Sequence, residues 1–528
     1  MKDRDTFDEL QRQKKRKLQT SEQRRNEFNN PAKSTPERGR AKAKSKRKMD
    51  KKIGIFLTIL QGILSGVFLW TVFSINLLPT KYLMVVIFIV AALFAITFAT
   101  QKRHKGHAMY GKTLSVVMIL LLSVASFYIA KVNGAFDNVT GSSYKIDSIV
   151  VAVLKDDPAE TIEDAKDYTF GIQFAVAGEG VKQAVEGINE KLSADIHTTE
   201  FASIQDQATA LQNGSVKAII YNEGYTGMLS ETFEGYESSV KIIHRHEIKT
   251  QITVNKKEFS VTKDTFSVYI SGIDVFGAIE TNSRSYVNII ATVNPKTHQI
   301  LLSTTPRDFY VTIPGVSNGQ KDKLTHAGIY GVDASIATLE NLYDTEIPFY
   351  ARVNFTSIIE IVDQLGGIDV YSEYEFVTAD GYYVQSGMNH FNGEQALSFS
   401  RERYNVPGGD DQRGKNQQAV IVAMIRKIIS PQILMKASGL IDSVSGNVET
   451  NMTQKQIQEL VKMQLNEGCS WNIYSAAAYG TGGSDYTYSM PGVSVYVTYP
   501  DQAAVDNIKN LMDRVEDGEL LDGSEVAE

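Results

Sequence analysis

The sequence predicts an α/β protein with three N-terminal transmembrane helices, a small α/β accessory domain and a larger α/β sandwich around a mixed sheet. Two observations carry this expectation. Apolar runs at 53–78, 82–99 and 113–130 contain no Asp, Glu, Lys or Arg, and each is near the ~20 residues that span ~30 Å of hydrocarbon. After them, period-2 apolar segments alternate with helix-like ones over 145–252 and again over 262–517. A length of 528 residues accommodates such an arrangement at ~100–200 residues per domain.

Charge is divided unevenly. Residues 1–52 hold 19 Lys+Arg and 8 Asp+Glu, a net of +11. The whole chain is −7, which leaves −18 on residues 53–528. The basic head has almost no apolar residues and is expected to be disordered. It lacks the apolar core and cleavage site of a removable signal peptide. The loop QKRHKGHAMYGK at 101–112 is also basic, whereas the loop between the first two runs carries only Lys81. The positive-inside rule therefore puts the head and the 101–112 loop in the cytoplasm, and everything after the third run outside. A polybasic segment beside a membrane attracts anionic lipid at ~1 kcal/mol per residue. With a single cysteine, Cys469, the outer part folds without intrachain disulfides.

The first outer domain, 145–252, reads IDSIVVAVL (strand), YTFGIQFAV (strand), GEGVKQAVEGINEKL (helix), SIQDQATALQNG (helix), VKAIIYN (strand), a Gly-rich helix, and KIIHRHEIKTQI (strand). His244 and His246 share a face of the last strand. Such a pair is more often ordinary surface than a metal site. A polar stretch, 253–263, marks a boundary. The second domain begins FSVYISGID, RSYVNIIATVNP and QILLSTTPRD, and ends with WNIYSAAAYG, VSVYVTYP and the helix DQAAVDNIKNLMDRV. The acidic tail 518–528 is expected to be disordered.

The stretch from Phe391 to Gln418, FNGEQALSFSRERYNVPGGDDQRGKNQQ, packs Arg401, Arg403 and Arg413 around a Pro-Gly-Gly loop. The helix after the loop would be capped by Asp410 or Asp411. Arg413 and Gln417, four apart, share one of its faces. Arginine forks beside a helix N-terminus suit a multiply charged anion. A solvated salt-bridge cluster is the plainer alternative. Ligands of open α/β sheets bind beyond the carboxyl ends of strands, where Asp274, Arg307 and Asp308 fall, with Arg284 ten residues after Asp274. Several arginines with two carboxylates suit a polyanion plus a hard divalent cation. Lys323 and His326 either touch the same ligand or serve a helix start. There is no phosphate-binding P-loop, nucleophile elbow, H-E-x-x-H or zinc cysteine pair.

SGID, STTPRDFYV, DKLTHAGIYG, VNFTSIIEIVDQLGGIDV and NGEQALSFSRER…DDQRGKNQQ occur in the order seen in the LytR–CpsA–Psr family, over roughly 265–515. The three-helix head and added domain resemble the capsule-type CpsA branch. The resemblance implies an extracellular phosphotransferase moving a glycopolymer, such as capsular polysaccharide, from a polyprenyl diphosphate carrier to peptidoglycan with Mg²⁺ or Mn²⁺. It implies diphosphate contacts from Arg284, Arg307, Arg401, Arg403, Arg413 and Gln417, a metal ligand in Asp274, and diphosphate phosphatase as a side activity. Asp274, Asp308 and Arg307 are the candidate catalytic residues, with Asp308 the candidate base. Where the family usually reads Arg-Ser-Asp, this chain reads Arg284-Ser285-Tyr286, and a phenol is a poor Mg²⁺ ligand. The lipid tail would need an apolar slot. Phe355, Ile358, Ile359 and Val362 stand at helical spacing for one, although such a stripe is more often plain core. A non-enzymatic sensor of lipid-linked polysaccharide, signalling through the basic head, is the rival reading. No helix-turn-helix or zinc pattern supports a nucleic-acid partner.

The topology is open to a direct check. A membrane-impermeant maleimide should label Cys469 in intact cells after mild denaturation. Labelling that requires permeabilised membranes would reverse the orientation.

Overall fold

The computed structural model describes residues 13–15, 36–101, 106–139, 144–174, 178–252, 259–273, 279–354, 358–430 and 448–523. Three long helices come first: α1 (Pro36–Ile75), α2 (Thr80–Gln101) and α3 (Gly106–Val139). Each contains a stretch long and apolar enough to cross a membrane: Met49–Ile75, Thr80–Gln101 and Met109–Lys131. α1 starts well before the first apolar run, inside the head that composition marks as disordered. Polar side chains tie the helices together. Ser115 donates to Gln61 Oε1 at 2.8 Å, Gln101 donates to Ser115 at 3.0 Å, and Thr58 donates to Gln101 at 2.8 Å. Such bonds hold helices where lipid offers no hydrophobic drive to association.

The accessory domain is a five-stranded sheet. Its strands are β1 (Tyr144–Leu154), β2 (Thr169–Ile172), β3 (His197–Glu200), β4 (Ala218–Asn222) and β5 (Val240–Gln251), in the order β3-β2-β4-β1-β5. β3 is a strand the sequence did not announce, because HTTE is polar and fully exposed. β1 is an interior strand, between β4 and β5, and is apolar on both faces. Ile149, Val151 and Val153 pack under α4 (Gly178–Leu192). Val150 and Ala152 pack under α5 (Ile204–Gln212) and α6 (Thr226–Thr232). This second cluster also takes in Ile329 and Met490 from the following domain, so the two outer domains share a core. Backbone bonds between Ile146 and residues 280 and 282 extend the seam, as does Lys145 Nζ to Asp333 at 2.8 Å.

The large domain is built on six strands: β6 (Phe266–Ile273), β7 (Val287–Asn294), β8 (Gln299–Thr304), β11 (Phe349–Asn354), β14 (Val448–Thr450) and β15 (Asn472–Ala477). Their order, β14-β11-β6-β7-β8-β15, is mixed: β11 lies parallel to β6 and β15 to β8, while the other pairs are antiparallel. Strand alternation divides its side chains between two helical layers. Ile289, Ala291 and Leu302 face α8 (Ile358–Gln364), α9 (Gly393–Arg401) and α10 (Asp410–Ile428). Tyr269, Ile290 and Leu301 face α7 (Val332–Tyr343) and α12 (Gln502–Glu516). Further elements include β9 (Tyr310–Thr312), β10 (Lys321–Lys323), β12 (Ile368–Ser372), β13 (Gly387–Phe391), α11 (Gln454–Glu467), β16 (Gly480–Thr487) and β17 (Met490–Pro500). Ile358 and Val362 are fully buried in this core, Ile359 is half-buried, and Phe355 lies outside the described residues. The acidic tail is not loose at its start. Leu521 is buried and its N–H donates to Gln299 at 2.9 Å, because β8 leaves that amide to be satisfied.

The edge strand β14 is short and is held by a buried ion pair. Arg352 Nε donates to Glu449 Oε2 at 2.6 Å and Tyr350 OH to its other oxygen at 2.8 Å, with both charged side chains 3% exposed. Removing one partner strands the other charge, at a cost of about 3–5 kcal/mol. Glu449→Ala should therefore lower the unfolding midpoint markedly. Glu449→Ala with Arg352→Met should recover most of the loss in a thermal melt.

Candidate functional site

The sheet's register decides which loops meet. β7 runs antiparallel to β6 and β8, with Gly272 opposite Val287 and Ile289 opposite Thr304. The residues before β7 and after β8 therefore emerge at one end of the sheet. Residues 284–286 precede β7, where the expected strand had included them, and Tyr286 N donates to Gly272 O at 2.8 Å. Arg307 and Asp308 follow β8.

α9 opens with a capping box. Asn392 accepts from Gln395 N, and the Gln395 side chain accepts from Asn392 N. It ends at Arg401, and Glu402 turns inward. Glu402 is 3% exposed and accepts the backbone N–H groups of Ala379, Arg403, Tyr404 and Asn405 at 2.6–2.9 Å. Burial alone would raise its pKa, but these N–H donors hold it below the usual carboxylate range. With Glu402 pinned inward, Arg401 and Arg403 are exposed on either side, and Arg403 lies over the Tyr404 ring at 4.6 Å. Gly408 and Gly409 adopt φ of +83° and +56°, which favours glycine. Gly409, not Asp410 or Asp411, is the residue before α10, so the expected aspartate cap is not formed. Both aspartates fall in the first turn.

Arg284 is 12% exposed. Its Nη2 donates to Tyr286 OH at 3.0 Å, and its Nη1 pairs with Glu231 of α6. Arg284 and Arg307 stand 5.2 and 5.6 Å from the Tyr286 ring centre, so one neutral ring serves two cations. A Cβ on Gly227 would lie 2.1 Å from Arg284 Nη2, so a larger residue on α6 would push this guanidinium aside. Asp308 accepts from Lys323 Nζ at 3.0 Å and lies 3.4 Å from Arg307 Nε. Burial would raise the Asp308 pKa, but Lys323 and then Arg307 outweigh it and hold it low. Glu231 follows the same logic: burial raises, while Arg284 and Lys323 lower it further.

Two adjoining clefts result. The first, about 570 Å³, is lined by Arg284, Tyr286, Arg401, Arg403, Arg413 and Gln417 on one side and by residues 227–238 of the accessory domain on the other. The second, about 560 Å³, is lined by Arg307, Asp308, Lys323, Arg403 and Arg413, with apolar Met490, Val493 and Val495 from β17. Glu231 lines both. All six expected anion ligands thus border one of two contiguous spaces, and the Gln417 Oε1 is buried without a hydrogen-bond partner among the described residues. Asp274 lies outside the described residues. Lys323 lines the second cleft, whereas His326 is fully buried behind it, with Nδ1 2.6 Å from Asp322. His244 and His246 do not line either cleft.

Glu402 and Glu231 were missed in the sequence. The first had a signal, a carboxylate between two arginines. The second had none that tied it to the arginines, since it lies in a distant domain. A carboxyl depressed in the fold stabilises it above the unfolded value, near 4.5, and that contribution disappears as pH falls through the folded value. Glu402→Gln should cost about 1–3 kcal/mol at neutral pH, as charge-assisted bonds to four N–H groups weaken. The gap between variant and parent should narrow as pH falls below 4.5 and through the folded value. A melt series from pH 3 to 8 measures both.

The LytR_cpsA_psr family profile matches residues 229–513. The chain is 34% identical over 231 residues to the polyisoprenyl-teichoic acid–peptidoglycan teichoic acid transferase TagU of Bacillus anthracis, covering 44% of this chain and 75% of that one. It is 36% identical over 236 residues to TagU of Enterococcus faecalis, covering 44% and 72%. Among solved structures, B. subtilis TagU is 30% identical, with 49% of this chain and all of that chain covered, at a TM-score of 0.38. The matched residues include every arginine of the two clefts, and the chain belongs to the LytR–CpsA–Psr family.

Proposed function

We propose that this chain is a membrane-anchored transferase whose outer domains move a glycopolymer from a polyprenyl diphosphate carrier to peptidoglycan. The observation that carries the reading is the convergence of Arg284, Arg401, Arg403, Arg413 and Gln417 on one cleft, with Arg307 in the adjoining one. Guanidinium forks match phosphate oxygens in pairs and stabilise charge that develops on the leaving phosphate. The names of the relatives supply the reaction class and a polyisoprenyl donor. Capsular polysaccharide is the polymer we favour for this chain, because of its three-helix head and added domain. The outer domains lie outside the cell by the distribution of positive charge, and the basic head contacts anionic lipid.

Mg²⁺ belongs to this proposal as a partner of the diphosphate. The described oxygen donors fit it sparingly, since Asp308 is shared by Lys323 and Arg307, and Tyr286 offers only a neutral phenol. Asp274 and the phosphate oxygens themselves would complete its ligands. The metal would neutralise phosphate charge; this chain's arginines hold and orient the diphosphate. Diphosphate hydrolysis is the expected side reaction when water replaces the acceptor.

Each charge-assisted bond is worth roughly 1.5–3 kcal/mol, and ~1.4 kcal/mol is tenfold in affinity. Arg401→Ala and Arg413→Ala should each weaken binding of geranylgeranyl diphosphate by about tenfold or more. Arg→Lys at either position should restore little, because an ammonium lacks the fork. Calorimetry on the full-length protein, with Mg²⁺ and with EDTA, measures affinity and metal dependence together. Unchanged binding by both alanine variants would mark the cluster as a surface salt-bridge array.

A further inference from the structure

The first cleft has a wall that the large domain does not provide. Residues 227–238 close it from the accessory domain, and that domain is fixed in place by the shared core around Ile329 and Met490 and by the Lys145–Asp333 pair. On this wall, among the described residues, three carboxylates line the cleft: Glu231, Glu234 and Glu237. Asp308 lines only the second cleft, is 13% exposed, and is engaged by two cations. Glu231 lines both spaces, with 43% of its side chain open. Its ion-pair partner is Arg284, one of the cations that a diphosphate would claim.

We propose that Glu231, contributed by the accessory domain, is the general base for the acceptor hydroxyl. The assignment rests on the transferase reading above and adds to it the residue that activates the nucleophile. Two adjoining spaces suit two substrates, the diphosphate among the arginines of the first and the acceptor sugar in the second, which adds apolar β17 side chains. Glu231, Arg403 and Arg413 line both spaces, and Glu231 is the one carboxylate among them, so a nucleophile entering from the second space reaches phosphorus past it. A bound diphosphate draws Arg284 onto its oxygens, and Glu231 loses the partner that makes it a poor proton acceptor. The acceptor oxygen then bonds to the polymer-side phosphorus while its proton passes to a Glu231 carboxylate oxygen. The bond from that phosphorus to the bridging oxygen breaks, its electron pair stays on the departing lipid monophosphate, and the arginines hold the resulting charge. Glu231 releases the proton to solvent. A carboxylate taking a hydroxyl proton is an established device in phosphoryl transfer.

The test uses the full-length protein in nanodiscs, a farnesyl-diphosphoryl disaccharide as donor and soluble peptidoglycan fragments as acceptor. Glu231→Gln keeps the shape and removes the base. Transfer should fall about 100-fold or more, the usual range for general base catalysis. Donor affinity should be equal or tighter, since a negative charge has left the arginine cleft. The acid limb of the parent's pH–rate profile should be missing from the residual activity, and Glu231→Asp should restore part of the rate. Transfer within about threefold of the parent, or a rate loss matched by an equal loss of donor affinity, overturns the assignment. A parent that binds no donor, or binds it and transfers nothing, defeats the transferase reading itself and Glu231's role with it.

Discussion

Cations gathered without a ligand repel one another, and much of the site's architecture answers that repulsion. Two unit charges 4 Å apart interact by about 4 kcal/mol even at an effective dielectric near 20. Three devices offset this. Glu402 is sunk between Arg401 and Arg403, where four backbone N–H groups keep it charged. Asp308 sits between Arg307 and Lys323. Tyr286 gives Arg284 and Arg307 a shared aromatic ring at no cost in charge. Glu231 differs in kind, because it comes from another domain and faces open space.

The convergence of these groups is a consequence of sheet topology. An antiparallel β6-β7-β8 unit brings the start of its middle strand beside the ends of its neighbours. The R-E-R segment arrives from the other direction, on the layer formed by α9 and α10. No local segment holds the site. It forms only when sheet and helical layer have packed through the core of Ile289, Phe399 and Val420.

Much of this was legible in the chain. Apolar periodicity gave the three long helices, the mixed sheet and the helix that presents Arg413 and Gln417, because packing onto one core leaves a periodic trace. Residues that touch across long sequence distances leave none. Nothing in TGMLSET announces that Glu231 meets an arginine 53 positions later. The missing aspartate cap has a local counterpart: Gly408 and Gly409 both take positive φ, and Gly409, with no side chain, stands at the capping position. The ordered start of the tail escaped notice because acidic composition hid Leu521, one apolar residue with a place to go.

The hydrophobic cluster common to both outer domains has a practical meaning for genetics. Ile329 and Met490, both almost wholly shielded from solvent, belong to the large domain in sequence but to the accessory domain in packing. Excising residues 144–252 would not remove a module from a finished enzyme. It would open a greasy wound in what remains, at about 25 cal/mol for each Å² of apolar surface returned to water. A deletion phenotype at this locus therefore reports on solubility before it reports on chemistry, and the two outer domains are best regarded as one inherited unit.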